Sequence, residues 1–254
     1  MKPAEPHFEA RLARDPAEIR QAQALRYQVF VAELGGDGPL VDHAAGLERD
    51  RFDPHYDHLV LIDHAAGGGV VGAYRLMPGE RAAAGEGFYC AGEYDLTPLL
   101  SSGRRLLELG RSCLHRDYRG SSAMFHLWTA LAEYVRARGI EVLFGVASFH
   151  GTDVAALAQP LSYLHHFHLA PEALRVRALS AQARRMDLLP AGAVDRKAAM
   201  VATPALIKAY LRLGGFVGEG AFVDREFNTT DVCLLMDTAA MNARQRDFYS
   251  RPRT

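Results

Sequence analysis

The feature that most constrains the fold is a strand–turn–helix–strand succession in the middle of the chain. Leu106–Leu114 has the composition of a strand, and the Arg-Gly pair at 119–120 indicates a turn. Apolar residues then recur at helical spacing until Gly139, a residue type favoured directly after a helix. The nearly all-apolar run Ile140–Phe144 that follows is typical of a parallel strand covered on both faces. Together they form a βαβ unit, which predicts an α/β fold.

Apolar periodicity and turn residues predict the remaining elements. The expected elements are a helix over 16–34 ended by Gly35-Gly36, a hairpin of His58–Ile62 and Val70–Leu76, a helix after Gly151 kinked at Pro160, a strand at Leu174–Leu179, a helix from Thr203 to Leu213, and a strand at Asp231–Met236. No internal repeat interrupts them. We therefore predict a single domain over residues 1–254, with an irregular addition around 165–200 and a basic tail over 239–254.

Composition narrows the class of protein. Lys and Arg number 29 against 30 Asp and Glu, so a strongly basic nucleic-acid binder is not expected. The three cysteines lack metal-like spacing and are expected to be free thiols of a reducing cytoplasm. No run of apolar residues is long enough to span a bilayer. The expected location is the cytoplasm, with a peripheral contact to the inner membrane left open.

Two charged side chains interrupt the otherwise apolar strand at 106–114. Glu108 and Arg111 are costly there unless they are paired or functional. Gly110 between them offers a place for a β-bulge that turns both toward one cleft. In the alternative, one charge faces solvent and the other makes a structural ion pair.

The turn after this strand suits an anionic ligand. Backbone N–H groups at a helix N-terminus favour phosphate, and Arg116 and Arg119 would add positive charge. Solvated arginines beside a turn are an equally good interpretation. The Ser112-Cys113 pair has no histidine at a diagnostic spacing, so a covalent nucleophile is not expected.

For two further clusters, a structural role is the alternative to a binding role. The acidic stretch Glu48–Asp53, with Arg75 on the hairpin, could bind a cationic substrate or cross-brace a loop. The tract of His165, His166 and His168 lacks matching metal ligands elsewhere, so core or solvated histidines are expected and no metal site is predicted.

The motifs together resemble a known family. Ala24–Phe30, Glu48–Asp53, Gly72–Leu76 and Glu108–Arg111 resemble the acyl-homoserine-lactone synthase branch of the GNAT-like acyltransferases. The later phrases resemble the L-ornithine N-acyltransferases of ornithine-lipid synthesis; they are Tyr118-Arg119 with Leu127-Trp128, Leu143–Asp153, Ser162–His166, Leu206–Gly214 and Asp224–Val232. The resemblance extends from about residue 10 to residue 248.

This resemblance implies a GNAT-like fold, with a mixed central sheet whose splayed parallel strands admit an acyl thioester and whose faces are flanked by helices. It implies transfer of a (3-hydroxy)fatty acyl group from acyl carrier protein to the α-amine of L-ornithine, forming lyso-ornithine lipid. The co-substrate is then acyl-phosphopantetheine, with no permanently bound cofactor and no nucleic-acid partner. The matching functional positions are Arg26, Phe30, Asp50, Asp53, Arg75, Glu108 and Arg111.

Two departures refine that expectation. The usual GNAT pyrophosphate motif falls on Arg119–Met124 and differs at both diagnostic positions, which favours a carrier-protein donor over ordinary acetyl-CoA. Gly35-Gly36 replaces the aromatic residue of lactone synthases, which weighs against S-adenosylmethionine as acceptor. The alternatives are another amino-acid acceptor (glutamine, glycine or lysine), a lactone synthase, and a non-catalytic module that binds acyl chains or carrier protein.

Roles for individual residues follow as hypotheses. Glu108 is the candidate base and Arg111 its catalytic partner, while Arg75 or Arg111 suits the substrate carboxylate and Asp50 or Asp53 its second ammonium. The expected acyl-donor and phosphopantetheine positions are Gly110, Ser112, Arg116, Arg119, Gly120, Ser121 and Ser122. The acidic carrier protein is expected at Arg104, Arg105, Arg116, Arg119, Arg136 and Arg138. Arg175–Arg185 or the C-terminal arginines are a second basic surface, which could instead meet anionic lipid.

Overall fold

A computed structural model describes residues 5–241 of the chain. The helices and strands are, in chain order, β1 (Phe8–Leu12), α1 (Pro16–Arg26), β2 (Asp57–Asp63), β3 (Gly69–Pro78), α2 (Gly79–Ala84), β4 (Tyr94–Asp95), α3 (Thr97–Leu100), β5 (Leu106–Leu114), α4 (Ala123–Arg138), β6 (Val142–His150), α5 (Ala158–His168), β7 (Arg177–Ala178), β8 (Ala183–Arg184), α6 (Arg196–Ala202), α7 (Ala205–Arg212), β9 (Phe216–Val217), β10 (Ala221–Asp224) and β11 (Thr229–Asp237). The arginines of the predicted basic tail (Arg244, Arg246, Arg251 and Arg253) lie outside the described residues. Within them, no helix combines the length and the apolar character needed to cross a membrane.

The described chain forms two compact units. Unit 1 contains the residues up to Glu86 together with Leu109–Gly139, and unit 2 contains Gly87–Glu108 together with the residues from Ile140 onward. Strand β5 therefore contributes its first residues to unit 2 and its remainder to unit 1.

In unit 1, a sheet in which β1–β2 and β2–β3 are antiparallel pairs lies between two helices. Its strand order is β1–β2–β3–β5, and the predicted hairpin is the β2–β3 pair, with Leu61 opposite Gly72. Helix α1 packs on one face of the sheet, where Leu25 joins a buried cluster with Val60 and Ala73. On the other face, Leu127 of α4 lies directly against Gly72. Because side chains alternate along a strand, this arrangement explains why β2 and β3 are almost entirely buried.

Local sequence accounts for the limits of these two helices. The Asp15 carboxylate accepts hydrogen bonds from the N–H groups of Ala17 and Glu18, and Pro16 occupies the first turn of α1. Helix α1 continues into a wider π-helical segment, Tyr27–Glu33, so the predicted helix over 16–34 is present with an altered second half. Gly139 ends α4 with a φ of 60°, as its position predicted.

In unit 2, the sheet has the strand order β5–β6–β11–β10–β8, with β9 also paired to β11. Strands β5 and β6 are parallel, whereas the other pairs are antiparallel, so the predicted mixed α/β sheet is confirmed. In the described part of the chain the parallel ladder comprises three pairs, Leu106–Glu108 opposite Val142–Phe144. Both strands are nine residues long, so a short ladder agrees with a splayed parallel pair.

Three local predictions need correction. Pro160 does not kink a helix, because α5 begins at Ala158 and the proline lies in its first turn, where its missing N–H costs nothing. The strand expected over Leu174–Leu179 is reduced to β7, since Leu174 ends a 3₁₀ turn. The left-handed residue of β5 is Arg111, with a φ of 50°, and not Gly110, where a bulge was expected.

Candidate active site

An ion-pair network of three arginines and three carboxylates lies in unit 1. The members are Arg26, Glu48, Asp50, Asp53, Arg75 and Arg111. They come from α1, from the loop before β2, from β3 and from β5. The fold thus brings together all the predicted substrate-binding residues except Phe30, which packs half-buried against the α1 core cluster.

The innermost part of this network is held by Arg26. Its Nη1 atom lies 2.7 Å from Asp53 Oδ1, its Nη2 atom lies 3.2 Å from Asp53 Oδ2, and its Nε atom donates to Glu48. Gln23, one turn earlier on α1, donates to Asp53 Oδ2 at 3.0 Å. Both partners of the central pair are buried, so removing one would leave an uncompensated charge. Arg26 and Asp53 therefore form the structural base of the network.

Arg75 connects this base to Asp50. Its Nη1 atom lies 2.7 Å from Asp53 Oδ1 and 2.7 Å from Asp50 Oδ1, and its guanidinium stacks on the Tyr56 ring at 4.3 Å. Arg111 completes the network, with Nε donating to Glu48 Oε1 at 3.1 Å and Nη2 at 3.6 Å from Asp50 Oδ2. Three positive charges face three negative ones, so the cluster is formally neutral.

The network controls the ionisation of its carboxylates. Burial would raise the pKa of Glu48, but the positive charges of Arg111, Arg26 and Arg75 outweigh it and lower the pKa to about 2. The pKa of Asp53 is likewise lowered, because the charges of Arg26 and Arg75 outweigh its burial. Both groups are thus carboxylates at neutral pH.

Two atoms of the network have unused hydrogen-bonding capacity. Asp50 Oδ2 and Arg75 Nε are buried and have no hydrogen-bond partner within residues 5–241. Unsatisfied buried groups are rare and cost about 1–3 kcal/mol each, and they mark places where a ligand or water completes the bonding. One atom is an acceptor and the other a donor.

Gly110 leaves open the space beside that unused donor. A Cβ atom placed on Gly110 would lie 3.9 Å from Arg75 Nε and 3.9 Å from the Tyr56 hydroxyl. The next residue, Arg111, holds a left-handed backbone that costs a non-glycine residue about 1–2 kcal/mol. Its two ion pairs hold it in that conformation. Ser112 follows, with a buried Oγ that has no hydrogen-bond partner in the described chain.

Glu108 lies in unit 2, where backbone amides hold its carboxylate. Tyr89 N–H donates to Oε2 at 2.9 Å and Cys90 N–H donates to Oε1 at 2.6 Å. The side chain is 1% exposed. Charge-assisted bonds of this kind fix the position of a carboxylate. Sequence reasoning gave no signal for Tyr89 and Cys90, because the groups that bind are their backbone N–H groups.

The turn that follows β5 is present where the sequence placed it. Gly120 has a φ of 80°, and α4 begins at Ala123, whose N–H donates to Ser121 Oγ at 3.1 Å. Ser122 precedes the helix without a side-chain cap. Arg119 makes an ion pair with Glu33 at 2.8 Å, whereas Arg116 is exposed and has no partner among the described residues. Of the two turn arginines, Arg116 is therefore the one available to an external anion.

The remaining candidate groups are structural. All three cysteines are buried free thiols, as expected, and burial raises the pKa of Cys113 to about 12. In the histidine tract, His166 contacts the Leu189 carbonyl oxygen at 2.8 Å and His168 contacts the Tyr163 hydroxyl at 3.0 Å. Cys113 is thus not an activated nucleophile.

Comparison with known proteins identifies the family. A model of the acetyltransferase (GNAT) domain matches residues 25–129. An L-ornithine N(alpha)-acyltransferase of Rhodobacter capsulatus is 66% identical over 248 residues, which cover 96% of this chain and 95% of that protein. The chain belongs to the L-ornithine N(alpha)-acyltransferase family. A member of the same family from Brucella abortus is 42% identical, over 95% of this chain and 88% of that protein.

Solved structures agree on the fold. FeeM, an N-acyl amino acid synthase from uncultured soil microbes, has a TM-score of 0.54 and 12% identity over 92% of this chain and 93% of that chain. BjaI, a CoA-dependent acyl-homoserine lactone synthase, has a TM-score of 0.53 and 16% identity over 96% of this chain and 88% of that chain. The predicted GNAT-like fold is thereby confirmed.

Proposed function

We propose that this acyltransferase moves a (3-hydroxy)fatty acyl group from acyl carrier protein to the α-amine of L-ornithine, forming lyso-ornithine lipid. The name of the Rhodobacter capsulatus relative, at 66% identity, supports ornithine as the acceptor. Support for the donor is indirect and comes from the altered phosphate-binding turn. The acyl-phosphopantetheine would act as a co-substrate, and no permanently bound cofactor is needed.

The two atoms of the ion-pair network that lack hydrogen-bond partners among the described residues support ornithine as the acyl acceptor. Ornithine has a side-chain ammonium and an α-carboxylate in addition to the amine that is acylated. Asp50 Oδ2 offers an acceptor for the ammonium, and Arg75 Nε offers a donor for the carboxylate. Glutamine and glycine lack the side-chain cation, so they would leave Asp50 Oδ2 unfilled.

The chemistry needs a neutral amine and a polarised thioester. In the proposed reaction, the Glu108 carboxylate takes a proton from the α-ammonium, directly or through one water molecule. The neutral amine nitrogen then bonds to the thioester carbon, the extra proton of the nitrogen passes to the sulfur, and the C–S bond breaks to give the amide and the pantetheine thiol. Positioned bases of this kind contribute about 10²–10⁴-fold to rate. The two N–H groups that hold Glu108 support this role, because they fix the carboxylate in one place.

Backbone groups on β5 are the proposed source of carbonyl polarisation. The N–H groups of Gly110, Arg111 and Ser112 would donate to the oxygen that becomes negative during attack, as in an oxyanion site. The left-handed conformation of Arg111 supports this proposal, since it redirects the peptide groups of an otherwise extended strand.

The carrier protein would approach exposed arginines. Arg104 is engaged by Asp237 through two contacts of 2.7 and 2.8 Å, and Arg119 is engaged by Glu33. Arg116 and Arg136 are exposed and have no partner in the part of the chain that the structure describes. These two cations are accordingly the favoured contacts for an acidic carrier, with the phosphopantetheine phosphate at the Arg116–Ser122 turn.

A panel of amino acids tests the acceptor. Purified enzyme with 3-hydroxyacyl carrier protein should convert ornithine to a mass corresponding to its N-acyl derivative, with much lower turnover of lysine, glutamine and glycine. Preferred turnover of another amino acid would replace ornithine in the proposal. Consumption of S-adenosylmethionine would instead indicate a lactone synthase, and tight carrier binding without any turnover would indicate a binding module.

A further inference from the structure

We infer that a cavity in unit 2, formed by residues outside the proposed acyl-transfer machinery, binds an anion of the phosphate class. The cavity has a volume of about 510 Å³, a size typical of small-molecule sites. Its charged lining consists of His165, Arg177, Arg184, Arg185, Asp187 and Glu219. Three arginines thus line one cavity, in the segment that the sequence marked as an irregular addition.

Two of these arginines are oriented by carboxylates and still have donors to offer. Arg177 contacts Glu219 through Nε at 3.0 Å, which leaves both of its terminal nitrogens unused. Arg185 contacts Asp187 through Nε at 2.9 Å and Nη2 at 2.6 Å, which leaves Nη1. The two carboxylates offset part of the positive charge and occupy only some of the N–H donors of these arginines.

Arg184 supplies the charge that the carboxylates do not balance. Its Nη1 atom donates to the carbonyl oxygens of Ala181 and Ala183 at 2.8 Å each. No carboxylate contacts it among the described residues, and its Nε and Nη2 atoms keep three N–H donors. The strand pairing of β8 with β10 holds its backbone in place. A planar, partly satisfied guanidinium of this kind matches the oxygens of a phosphate.

His165 adds a polar group that lacks a partner. Its Nδ1 atom is buried and has no hydrogen-bond partner in residues 5–241, although its ring lines the cavity. An imidazole nitrogen can donate to a phosphate oxygen or accept from a phosphate hydroxyl, depending on its tautomer.

A phosphate of this kind has two sources, a soluble phosphate ester and an anionic phospholipid headgroup. Leu188, directly after the cavity residue Asp187, is 40% exposed and would favour a lipid. This site does not depend on the proposed function, because none of its residues belongs to the acyl-transfer machinery.

Two binding measurements distinguish the sources. In the soluble arm, the thermal unfolding midpoint of the full chain is measured at increasing concentrations of glycerol 3-phosphate. In the lipid arm, the chain is co-sedimented with vesicles of phosphatidylcholine containing phosphatidylglycerol, and with phosphatidylcholine alone. The test variant is Arg184→Ala with Arg185→Ala. The matched control is Arg20→Ala with Arg225→Ala, which removes two exposed arginines that make no contact within the described residues.

Binding in either arm, weakened roughly tenfold or more by the test variant and unchanged by the control, supports the site, since each lost charged hydrogen bond contributes about 1.5–3 kcal/mol. Glycerol 3-phosphate binding assigns a soluble ligand, and selective vesicle binding assigns a lipid. If the double variant does not fold, Arg184→Gln is used as the test variant.

The inference is overturned if neither arm shows binding, or if test and control variants lose affinity equally. It is also overturned if the test variant only raises the Michaelis constant for carrier protein. Acyl transfer in solution, measured in parallel, stays unchanged if the site is separate.

Discussion

Arg75 Nη1 and Asp50 Oδ1 are joined at 2.7 Å, and the same two side chains keep Nε and Oδ2 without hydrogen-bond partners in the described residues. In the proposed function this pair, with Arg111 Nη2 at 3.6 Å from Asp50 Oδ2, meets a ligand that carries both signs of charge. The rest of the network fixes this pair, because Arg26 and Asp53 are buried beneath it.

Asp50→Asn tests the proposed ammonium contact. The amide keeps the size of the side chain but removes its charge, so the Michaelis constant for ornithine should rise by roughly tenfold or more, the worth of a charge-assisted hydrogen bond. Steady-state kinetics with ornithine and glutamine provide the measurement. The ratio of their specificity constants should move toward glutamine; an unchanged ratio would place the ammonium elsewhere.

Glu108→Gln tests the base. The amide fills the same space near Tyr89 and Cys90 but cannot take a proton, so the turnover number should fall by about 10²–10⁴-fold. Circular dichroism and the thermal midpoint establish that the variant is folded. A folded variant with wild-type turnover would remove Glu108 from the chemistry.

Arg116→Glu tests the carrier-protein surface. Reversing an exposed, unpaired charge should weaken the approach of an acidic carrier, so its Michaelis constant should rise several-fold at low ionic strength and less at high ionic strength. Arg20→Glu, an equal change of charge on α1, provides the control. Equal effects of the two substitutions would mean that only net charge matters and that Arg116 is no contact.

Acid should destabilise the fold through the buried carboxylates. The pKa of Glu48 falls from an ordinary 4.5 to about 2 in the folded protein, so the unfolded chain takes up its proton first as pH decreases. The stabilisation, on the order of 3 kcal/mol, is complete above about pH 4.5 and disappears as pH approaches 2. Urea unfolding at pH 7, 4 and 3 measures it. Glu48→Gln should flatten this dependence, and an equally steep loss in that variant would contradict the assignment.

Gly72→Ala should destabilise unit 1. The added Cβ would lie 2.7 Å from Leu114 Cδ2 and 3.0 Å from Leu127 Cδ1, distances that force the core to move. Overpacking of this kind costs about 1–3 kcal/mol in the free energy of unfolding. Gly69→Ala, on the same strand with open space around its Cβ position, should be nearly neutral. Chemical denaturation of both variants compares them directly, and an equal effect would refute the packing argument.

Periodicity was sufficient to predict the elements that depend on local burial. The β2–β3 hairpin, the turn at Gly120 and the end of α4 at Gly139 lie where alternation and turn residues placed them. The predicted kink at Pro160 was wrong, because proline breaks a helix only when it lies in the helix interior and is tolerated in the first turn. The local sequence does not determine whether such a proline lies in the first turn of a helix or in its interior.

The sequence predicted which charged residues belong to the site, but not which of them contact each other. The sequence marked Asp50, Asp53 and Arg75 as ionic groups near one another, and the structure makes them parts of one neutral network. Asp50 Oδ2 is the carboxylate oxygen of this network that lacks a hydrogen-bond partner among the described residues. Its identity depends on contacts between segments that are distant in the sequence. The same holds for the left-handed backbone of Arg111, which ion pairs with Glu48 and Asp50 hold in place.

The buried cysteines give the protein an experimental advantage. Cys90, Cys113 and Cys233 are 1%, 4% and 0% exposed, so a thiol-reactive dye has little access to the folded chain. In the proposed reaction every turnover releases one pantetheine thiol, and the colour formed with substrates therefore counts catalytic events with a low background. In the absence of substrates, the same dye reacts only as molecules open, up to three thiols per chain. One reagent thus reports catalysis in one cuvette and the rate of unfolding in the next.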